Sequence, residues 1–228
     1  QDALMQTLAQ NGNGVAAYID TLSEAQKLLV DEATSTLFPI AKDVKIQVEF
    51  NPTRVAAYRL IGYENRLLAD EDFNDDRKDA GEVGAGHTVT ALYEVIPVGV
   101  ESPVTISDVD PLRYQEGAVR SDATDSPELL FVKLRYKEPD GETSKLMQLA
   151  VLDEERSASE DFRFASAVAA WGMLLRDSEF CSGFTLGEVA DLARESLGSD
   201  QEGYRREFLR LVEAAQAMEL LEREPGAR

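Results

Sequence analysis

The sequence is short of the residues from which most reactive sites are built. Its 228 residues include one cysteine, one histidine and one tryptophan. A single cysteine excludes an internal disulfide framework and a cysteine-rich zinc site. A single histidine gives little basis for an arrangement of nucleophile, base and orienting group. The motifs G-x-S-x-G, H-E-x-x-H, G-x-G-x-x-G and the Walker loop are also missing. We therefore expect no catalytic residue, no cofactor-binding residue and no enzyme activity.

Basic residues and long apolar runs are scarce as well. The chain has 23 Lys and Arg residues against 43 Asp and Glu, which gives a formal net charge of −20. Such a surface repels phosphate backbones and anionic lipids, so we expect no nucleic-acid partner. No apolar stretch approaches the roughly 20 residues that cross a bilayer, which predicts no direct membrane insertion by this segment. Plain solubility explains the acidity most simply, and a divalent cation or a basic protein partner would also suit it.

Strand patterns dominate the middle of the chain. Apolar residues alternate with polar ones over residues 44–50, which predicts a half-buried strand. Further strands are predicted over residues 55–63, 88–96, 129–136 and 145–152. The last two flank Glu138-Pro-Asp-Gly141, a sequence typical of a tight turn. Because no helix pattern separates these strands, they favour an antiparallel sheet or sandwich.

Helix patterns frame the strand region. Residues 1–40 read as a short helix, a brief strand over residues 15–19 and a longer helix from Leu22 to near Pro39, the tail of an α/β domain. After residue 155, three helices are predicted to begin at capping-box sequences that start at Ser157, Thr185 and Ser199. The predicted class is therefore α+β: a partial α/β remnant over residues 1–40, an antiparallel β domain over 41–155 and a helical cap over 156–228 packed on it.

An acidic loop between the second and third predicted strands is the best candidate for a metal site. Ca²⁺ takes six to eight oxygen ligands, often from flexible loops rich in Asp and Asn. The candidate ligands are the alternating Asp70, Asp72, Asn74 and Asp76.

The same loop departs from the EF-hand pattern. Counted from Asp70, the sixth position is Asp75 where glycine is needed, and the twelfth is Gly81 where a bidentate glutamate is needed. Arg77 and Lys78 also neutralise part of the acidic cluster. Two alternatives therefore stay open: a connection that is solvated or salt-bridged to a neighbouring element, and a Ca²⁺-stabilised loop over residues 70–79.

Several phrases of the same region carry a family resemblance. The segment VKIQVEFNPTRVAAYRLIGYENRLLADEDFNDDRKDAGEVGAGHTVTALYEVIP resembles the C-terminal region of bacterial von Willebrand factor A domain proteins of the YfbK type. LIGYENR, DFNDD, DAGE and GAGHTVTALYE are its most specific parts. Residues 1–40 resemble the closing helix, last strand and last helix of the A domain itself. The resemblance thus implies that the metal-dependent adhesion site, with its Mg²⁺, lies upstream, and that this segment holds no cofactor.

The resemblance also carries expectations about location and function. The chain starts at Gln1 in mid-pattern, so any targeting sequence would lie upstream. Family members commonly carry an N-terminal signal, often of lipoprotein type, which implies a cell-envelope location anchored by that upstream segment; a cytoplasmic location is the alternative. We expect a non-catalytic accessory domain that mediates binding to a protein partner or assembly. A Ca²⁺-stabilised binding module is the alternative function, and an acid-pair hydrolase a distant third.

Overall fold

A computed structural model describes residues 2–12, 14, 16–33, 37–63, 67–78, 80–101, 123–181 and 183–223. The chain forms two compact units, each assembled from separate stretches of sequence. The first, called here the sheet unit, comprises Gln1–Asn51, Arg66–Val89 and Glu128–Leu152. The second, the helical unit, comprises Pro52–Asn65, Thr90–Pro127 and Asp153–Arg228. The domain limits predicted near residues 40 and 155 stay predictions.

The described residues form an α+β protein. The strands are β1 (Pro39–Phe50), β2 (Val55–Ile61), β3 (Gly81–Gly84), β4 (Leu92–Pro97), β5 (Glu128–Lys137) and β6 (Lys145–Leu152). The α-helices are α1 (Asp2–Asn11), α2 (Leu22–Gln26), α3 (Glu160–Leu175), α4 (Leu186–Glu195) and α5 (Tyr204–Arg223). A π-helical turn, Lys27–Asp31, continues α2, and short 3₁₀ helices cover Asp70–Asn74 and Glu179–Cys181.

The sheet unit is built on a four-stranded antiparallel sheet in the order β3-β1-β5-β6. β5 and β6 form the predicted hairpin, and the Gly141 N–H donates to the Glu138 carbonyl at 2.9 Å to close the turn. The strands predicted over residues 44–50, 129–136 and 145–152 are confirmed. β1 starts earlier than predicted because residues 39–44 pair with β3, a strand that the sequence did not predict.

The N-terminal segment of the sheet unit differs from its prediction. Residues 16–20 lie in no helix or strand, so the strand predicted over residues 15–19 is wrong; Val15 itself lies outside the described residues. A lone strand cannot satisfy its backbone N–H and C=O groups without a neighbour. The helix predicted from Leu22 to near Pro39 is interrupted after Asp31, and residues 34–36 lie outside the described part of the chain.

The helical unit contains three packed helices and a two-stranded antiparallel ribbon of β2 and β4. The helix core is made largely of small residues, which let helix axes approach closely. It consists of Ala167, Ala170, Val189, Ala190, Ala193, Leu209 and Val212. The Phe208 ring makes edge-to-face contacts with Phe164 and Trp171, with ring centroids 5.4 and 5.3 Å apart. These contacts join α5 to α3.

One arginine ties the ribbon to the helices of the same unit. Arg59 on β2 lies 2.5 Å from the Glu94 carboxylate on β4. Its guanidinium carbon lies 4.1 Å from the centre of the Phe180 ring, and its Nη2 lies 3.4 Å from the Met173 sulfur. The strands predicted over residues 55–63 and 88–96 are confirmed as β2 and β4, although β4 begins only at Leu92. The expectation that they share one sheet with the other predicted strands is wrong because, of the described strands, each pairs only with the other. A cation–π contact anchors this ribbon.

The three predicted helix starts have different outcomes. The capping box at Thr185 is confirmed: its hydroxyl accepts from the Glu188 N–H, and the Glu188 carboxylate accepts from the Thr185 N–H. The start at Ser157 is wrong, because Ser159 caps α3 by accepting from the Phe162 N–H at 3.1 Å. Ser199 does not open α5 either.

Asp200, the residue after Ser199, caps the N-terminal end of α5 instead. Its two carboxylate oxygens accept from the backbone N–H groups of Arg205 and Arg206, each at 3.0 Å, so α5 begins at Tyr204. Burial raises the pKa of Asp200 and is the largest single contribution. The two hydrogen bonds and the nearby arginine charges together outweigh it, so the pKa of Asp200 lies below its usual value.

Two serines separated by one residue, Ser157 and Ser159, provide a matched test of the α3 cap. Ser159→Ala removes the acceptor at the helix start and should lower the free energy of unfolding of the helical unit by about 1 kcal/mol. Ser157→Ala should change it by less than about 0.5 kcal/mol, as for an ordinary surface position. Urea unfolding followed by Trp171 fluorescence reports on α3 directly. Equal effects of the two substitutions would contradict this capping assignment.

Candidate functional site

The acidic loop, residues 70–78, packs against the four-stranded sheet. Asp70, Asp72 and Asn74 lie in the 3₁₀ helix and Asp76 follows it. The 3₁₀ helix is anchored by its fourth residue, Phe73, whose side chain is buried. The Arg135 guanidinium of β5 lies 5.7 Å from the Phe73 ring centre.

The first cation under the loop is Lys45 of β1. Only 4% of this residue is exposed. Its ammonium group donates to the backbone carbonyls of Asp72 and Asp75, at 3.2 and 2.5 Å. A buried ammonium requires such partners, because an unpaired charge loses its hydration without compensation. Lys45 therefore fixes two successive turns of the loop to the sheet.

The second cation is Lys137 at the end of β5, which is 8% exposed. It donates to the Asp43 carboxylate at 2.6 Å and to the Asp76 carbonyl at 2.7 Å. The hydrogen bond to Asp43 raises the pKa of Lys137, since it favours the charged form. Asp43 has a φ of +50°, a left-handed conformation that Asp tolerates, and its other oxygen accepts from the Ala80 N–H at 3.2 Å.

The carboxylates that follow the 3₁₀ helix also have partners within the sheet unit. Asp75 accepts two hydrogen bonds from the Arg77 guanidinium, at 2.9 and 2.8 Å, and these hold the pKa of Asp75 far below its usual range. Asp76 accepts from the Ser144 N–H of the β5–β6 turn at 3.4 Å, and hydrogen bonding to Ser144 lowers the pKa of Asp76. The loop is thus a connection held to itself and to the sheet by hydrogen bonds and ion pairs.

The geometry around the candidate metal ligands places cations where a metal ion would be expected. The Asp72 carboxylate lies 3.2 Å from the Lys78 ammonium, while Asp70 and Asn74 are exposed. In the described part of the chain, no group of three or more His, Cys, Asp or Glu could hold a metal ion. Asp79 lies outside the described residues. The Ca²⁺ assignment stays a prediction, and an ion at Asp72 would compete with the Lys78 ammonium.

The opposite face of the sheet carries an apolar patch that spans three strands. The register places three rows of paired residues side by side on β1, β5 and β6. Directly paired residues project from the same face of a sheet. The rows are Ile46, Leu134 and Met147; Val48, Val132 and Leu149; and Phe50, Leu130 and Val151. These nine residues are called the apolar face below.

Part of the apolar face is open to solvent. Ile46 is 50% exposed, Met147 59% and Leu149 64%, whereas Phe50 is buried. Apolar side chains on the inner face of a sheet are ordinarily covered by a second layer. The exposed residues therefore mark a surface suited to binding another apolar surface.

The single thiol gives no sign of reactivity. Cys181 is half-buried in the helical unit, and its sulfur lies 3.9 Å from the Ala170 carbonyl oxygen. Burial raises the pKa of the Cys181 thiol, and this outweighs the opposing effect of the nearby Arg59. A thiol of this kind is protonated at neutral pH and is a poor nucleophile.

Among the residues that the structure describes, no helix is both long enough and apolar enough to cross a membrane.

These features define an α+β module with a lysine-anchored acidic loop on one sheet face and an apolar surface on the other. The chain belongs to the family described as "Uncharacterized protein YfbK, C-terminal", which matches residues 35–218. It is 42% identical over 214 residues to the uncharacterized protein YfbK of Escherichia coli (strain K12). The match covers 94% of this chain and 36% of that relative. No solved structure matches the chain. The predicted membership of the YfbK C-terminal family is confirmed.

Lys45 should be needed for the loop to stay on the sheet. Lys45→Met keeps most of the side chain but leaves two loop carbonyls without their donor, which should cost about 1–3 kcal/mol of unfolding free energy. Lys133→Met is the matched control. Lys133 lies on the same sheet face, donates to Gln47 at a long 3.4 Å and should contribute less than about 0.5 kcal/mol.

Circular dichroism during urea unfolding measures both lysine variants. Trp171 fluorescence gives a separate reading of the helical unit, where that residue lies. An equal loss in the two variants would show that the loop contacts of Lys45 contribute nothing specific.

Calcium should leave the thermal stability unchanged, because two ammonium groups already satisfy the loop carbonyls. A site with a Kd of about 10 µM would gain about 2.7 kcal/mol at roughly 1 mM Ca²⁺. For a chain of this size that gain would raise Tm by roughly 5–10 °C. We expect no such rise in differential scanning calorimetry with EDTA-treated protein. A rise that Asp72→Ala abolishes would establish the Ca²⁺ module instead.

Proposed function

We propose that this chain is a non-catalytic interaction module, and that it binds a protein partner through the apolar face. The observation that carries this proposal is the set of three paired rows of apolar residues, of which Ile46, Met147 and Leu149 are at least half exposed. Burying apolar surface yields about 25 cal/mol per Å². Covering this face with a partner therefore supplies a driving force that the free module leaves unused.

The charged groups of the module support a binding role over a reactive one. The loop carbonyls of Asp72, Asp75 and Asp76 accept hydrogen bonds from lysine, and the carboxylates of Asp75 and Asp76 accept from Arg77 and Ser144. Groups held in this way stabilise structure and are not poised to exchange protons with a substrate. The protonated Cys181 thiol supports the same conclusion.

The module belongs, in this proposal, to a longer protein. The chain spans 36% of the length of its Escherichia coli relative, which leaves room for further domains. The resemblance of residues 1–40 to the end of a von Willebrand factor A domain favours such a domain upstream, with its Mg²⁺ held there. The module would then extend or position the A domain for a protein partner at the cell envelope.

A substitution on the apolar face tests the proposal. Leu149→Asp places a charge in the middle of the face at a residue already exposed to water, so folding should be little affected. Gln148→Asp is the control: it adds the same charge to the neighbouring residue, which points to the other side of the sheet. We expect the intact longer protein to capture its partner from cell-envelope extracts as wild type and as Gln148→Asp, and the recovery to fall about tenfold or more with Leu149→Asp.

Two results would contradict this proposal. The first is equal recovery of the same partners by all three proteins, which would leave the apolar face without a role in binding. The second is no specific capture by the wild-type protein under conditions where its fold is intact by circular dichroism.

A further inference from the structure

We propose that β6 binds an extended segment of the partner protein as an additional antiparallel strand, and that this segment is apolar with Lys or Arg at its C-terminal end. The inference rests on the proposed function and specifies how the partner engages the sheet. It follows from the position of β6 in the sheet, from its side chains and from the charge beside it.

The backbone of β6 has a free side among the strands that the structure describes. The strand order β3-β1-β5-β6 puts β6 at an edge, where it pairs with β5 alone. Alternate N–H and C=O groups of an edge strand point away from the sheet and can pair with a further strand. β6 is eight residues long and contains no proline, so an incoming strand would meet an uninterrupted ladder.

The other edge of the same sheet is formed by β3, and it is protected against pairing with a further strand. β3 has only four residues and begins and ends with glycine. Its pairing with β1 shifts register twice, between Pro39 and Ala41 and again between Ala41 and Val44. Short, irregular edges resist pairing with other chains. The β5–β6 pairing shifts only at its far end, between Glu128 and Leu130.

Most side chains of β6 are apolar, on the apolar face and, apart from Gln148, on the other side of the sheet. Met147 and Leu149 belong to the apolar face, and Leu146, which is 46% exposed, projects from the other side together with Gln148 and Ala150. Natural edge strands usually carry charges that discourage pairing. Here the only charged residue of the strand is Lys145 at its start. An incoming apolar strand would therefore find cross-strand partners on either face.

Charge selects the occupant of this edge. The turn before β6 carries Glu138, Asp140 and Glu142, all exposed, and of these Glu138 pairs with Lys145. An antiparallel strand on β6 would end beside this turn, so basic residues at its C-terminal end would meet Asp140 and Glu142. A second copy of the chain would bring another net charge of −20, which opposes self-association.

Two labelled peptides test strand addition to the whole 228-residue chain. Each has four Val-Thr repeats, followed in one by three Lys and in the other by three Glu. We expect the Lys peptide to bind about tenfold tighter or more in fluorescence anisotropy at low salt, and the difference to shrink as salt screens the charges. Hydrogen exchange should slow at alternate amides of β6 when the Lys peptide binds, and not at β3.

Proline substitutions separate edge pairing from contact with a face. Of the adjacent residues Met147 and Gln148, one N–H points towards β5 and the other away from the sheet. Proline at the outward position should keep the Tm of the wild type and abolish peptide binding. Proline at the inward position removes a hydrogen bond to β5 and should lower the Tm. The Tm values therefore show whether the N–H of Met147 or that of Gln148 points towards β5. If both proline variants unfold the sheet unit, the hydrogen-exchange pattern of the wild-type chain with the Lys peptide decides whether the peptide pairs with the edge of β6.

The outcomes distinguish this inference from the proposed function. Equal affinity for the two peptides, no binding, or unchanged exchange at β6 would overturn strand addition. The apolar face would still stand as the interaction surface if Leu149→Asp abolishes partner capture. Conversely, peptide binding at β6 together with normal capture by Leu149→Asp would overturn the role of the apolar face. A dimer in sedimentation velocity that the outward proline dissociates would identify a second copy as the occupant.

Discussion

The arrangement of the sheet unit depends on two ammonium groups held beneath an acidic loop. Lys45 and Lys137 are nearly inaccessible to water, and each donates to loop carbonyls while sitting on a strand of the sheet. The carbonyls of this loop can lie against the sheet only where they meet donors, because a buried polar group without a partner loses its hydration without compensation. With the lysines in place, Phe73 is buried against the sheet and the chain is positioned to enter β3. One pair of cations therefore determines where the loop lies and where the next strand begins.

The same interaction divides the sheet into two unlike faces. Lys45 and Arg135 are paired neighbours on the loop side, and the rows beside them on that side are mixed in polarity. The apolar face results from the strict alternation of β1 and β5, which sends every second side chain away from the loop. The loop thus covers the side of the sheet that carries Lys45 and Arg135, and the apolar face lies on the opposite side. The buried charges on the loop side are engaged in internal contacts.

Local features of the sequence were sufficient to predict most of the elements. Alternation over residues 44–50, the turn Glu138–Gly141 and the Thr185 capping box each act over a few residues, and each is confirmed. The serine cap was misplaced because Ser157 and Ser159 offer nearly the same local pattern. The features that were missed depend on distant parts of the chain. A lysine in an alternating strand ordinarily faces water, and the carbonyls that bury Lys45 lie 27 and 30 residues away. β3 is a strand only because β1 pairs with it, since Gly-Glu-Val-Gly has little strand preference of its own.

The acidic composition and the open edge of β6 are physically connected. An eight-residue edge strand with mostly apolar side chains promotes uncontrolled pairing between copies. A net charge of −20 on each copy opposes that encounter, while leaving the edge available to a segment of opposite charge. In the proposed binding mode, the same negative charge keeps copies of the chain apart and favours a basic partner segment. The net negative charge opposes pairing between copies even though little of it lies on β6, because whole molecules repel each other before their strands can meet. In the proposed binding mode, the exposed acidic turn beside β6 is what favours a basic segment at this edge.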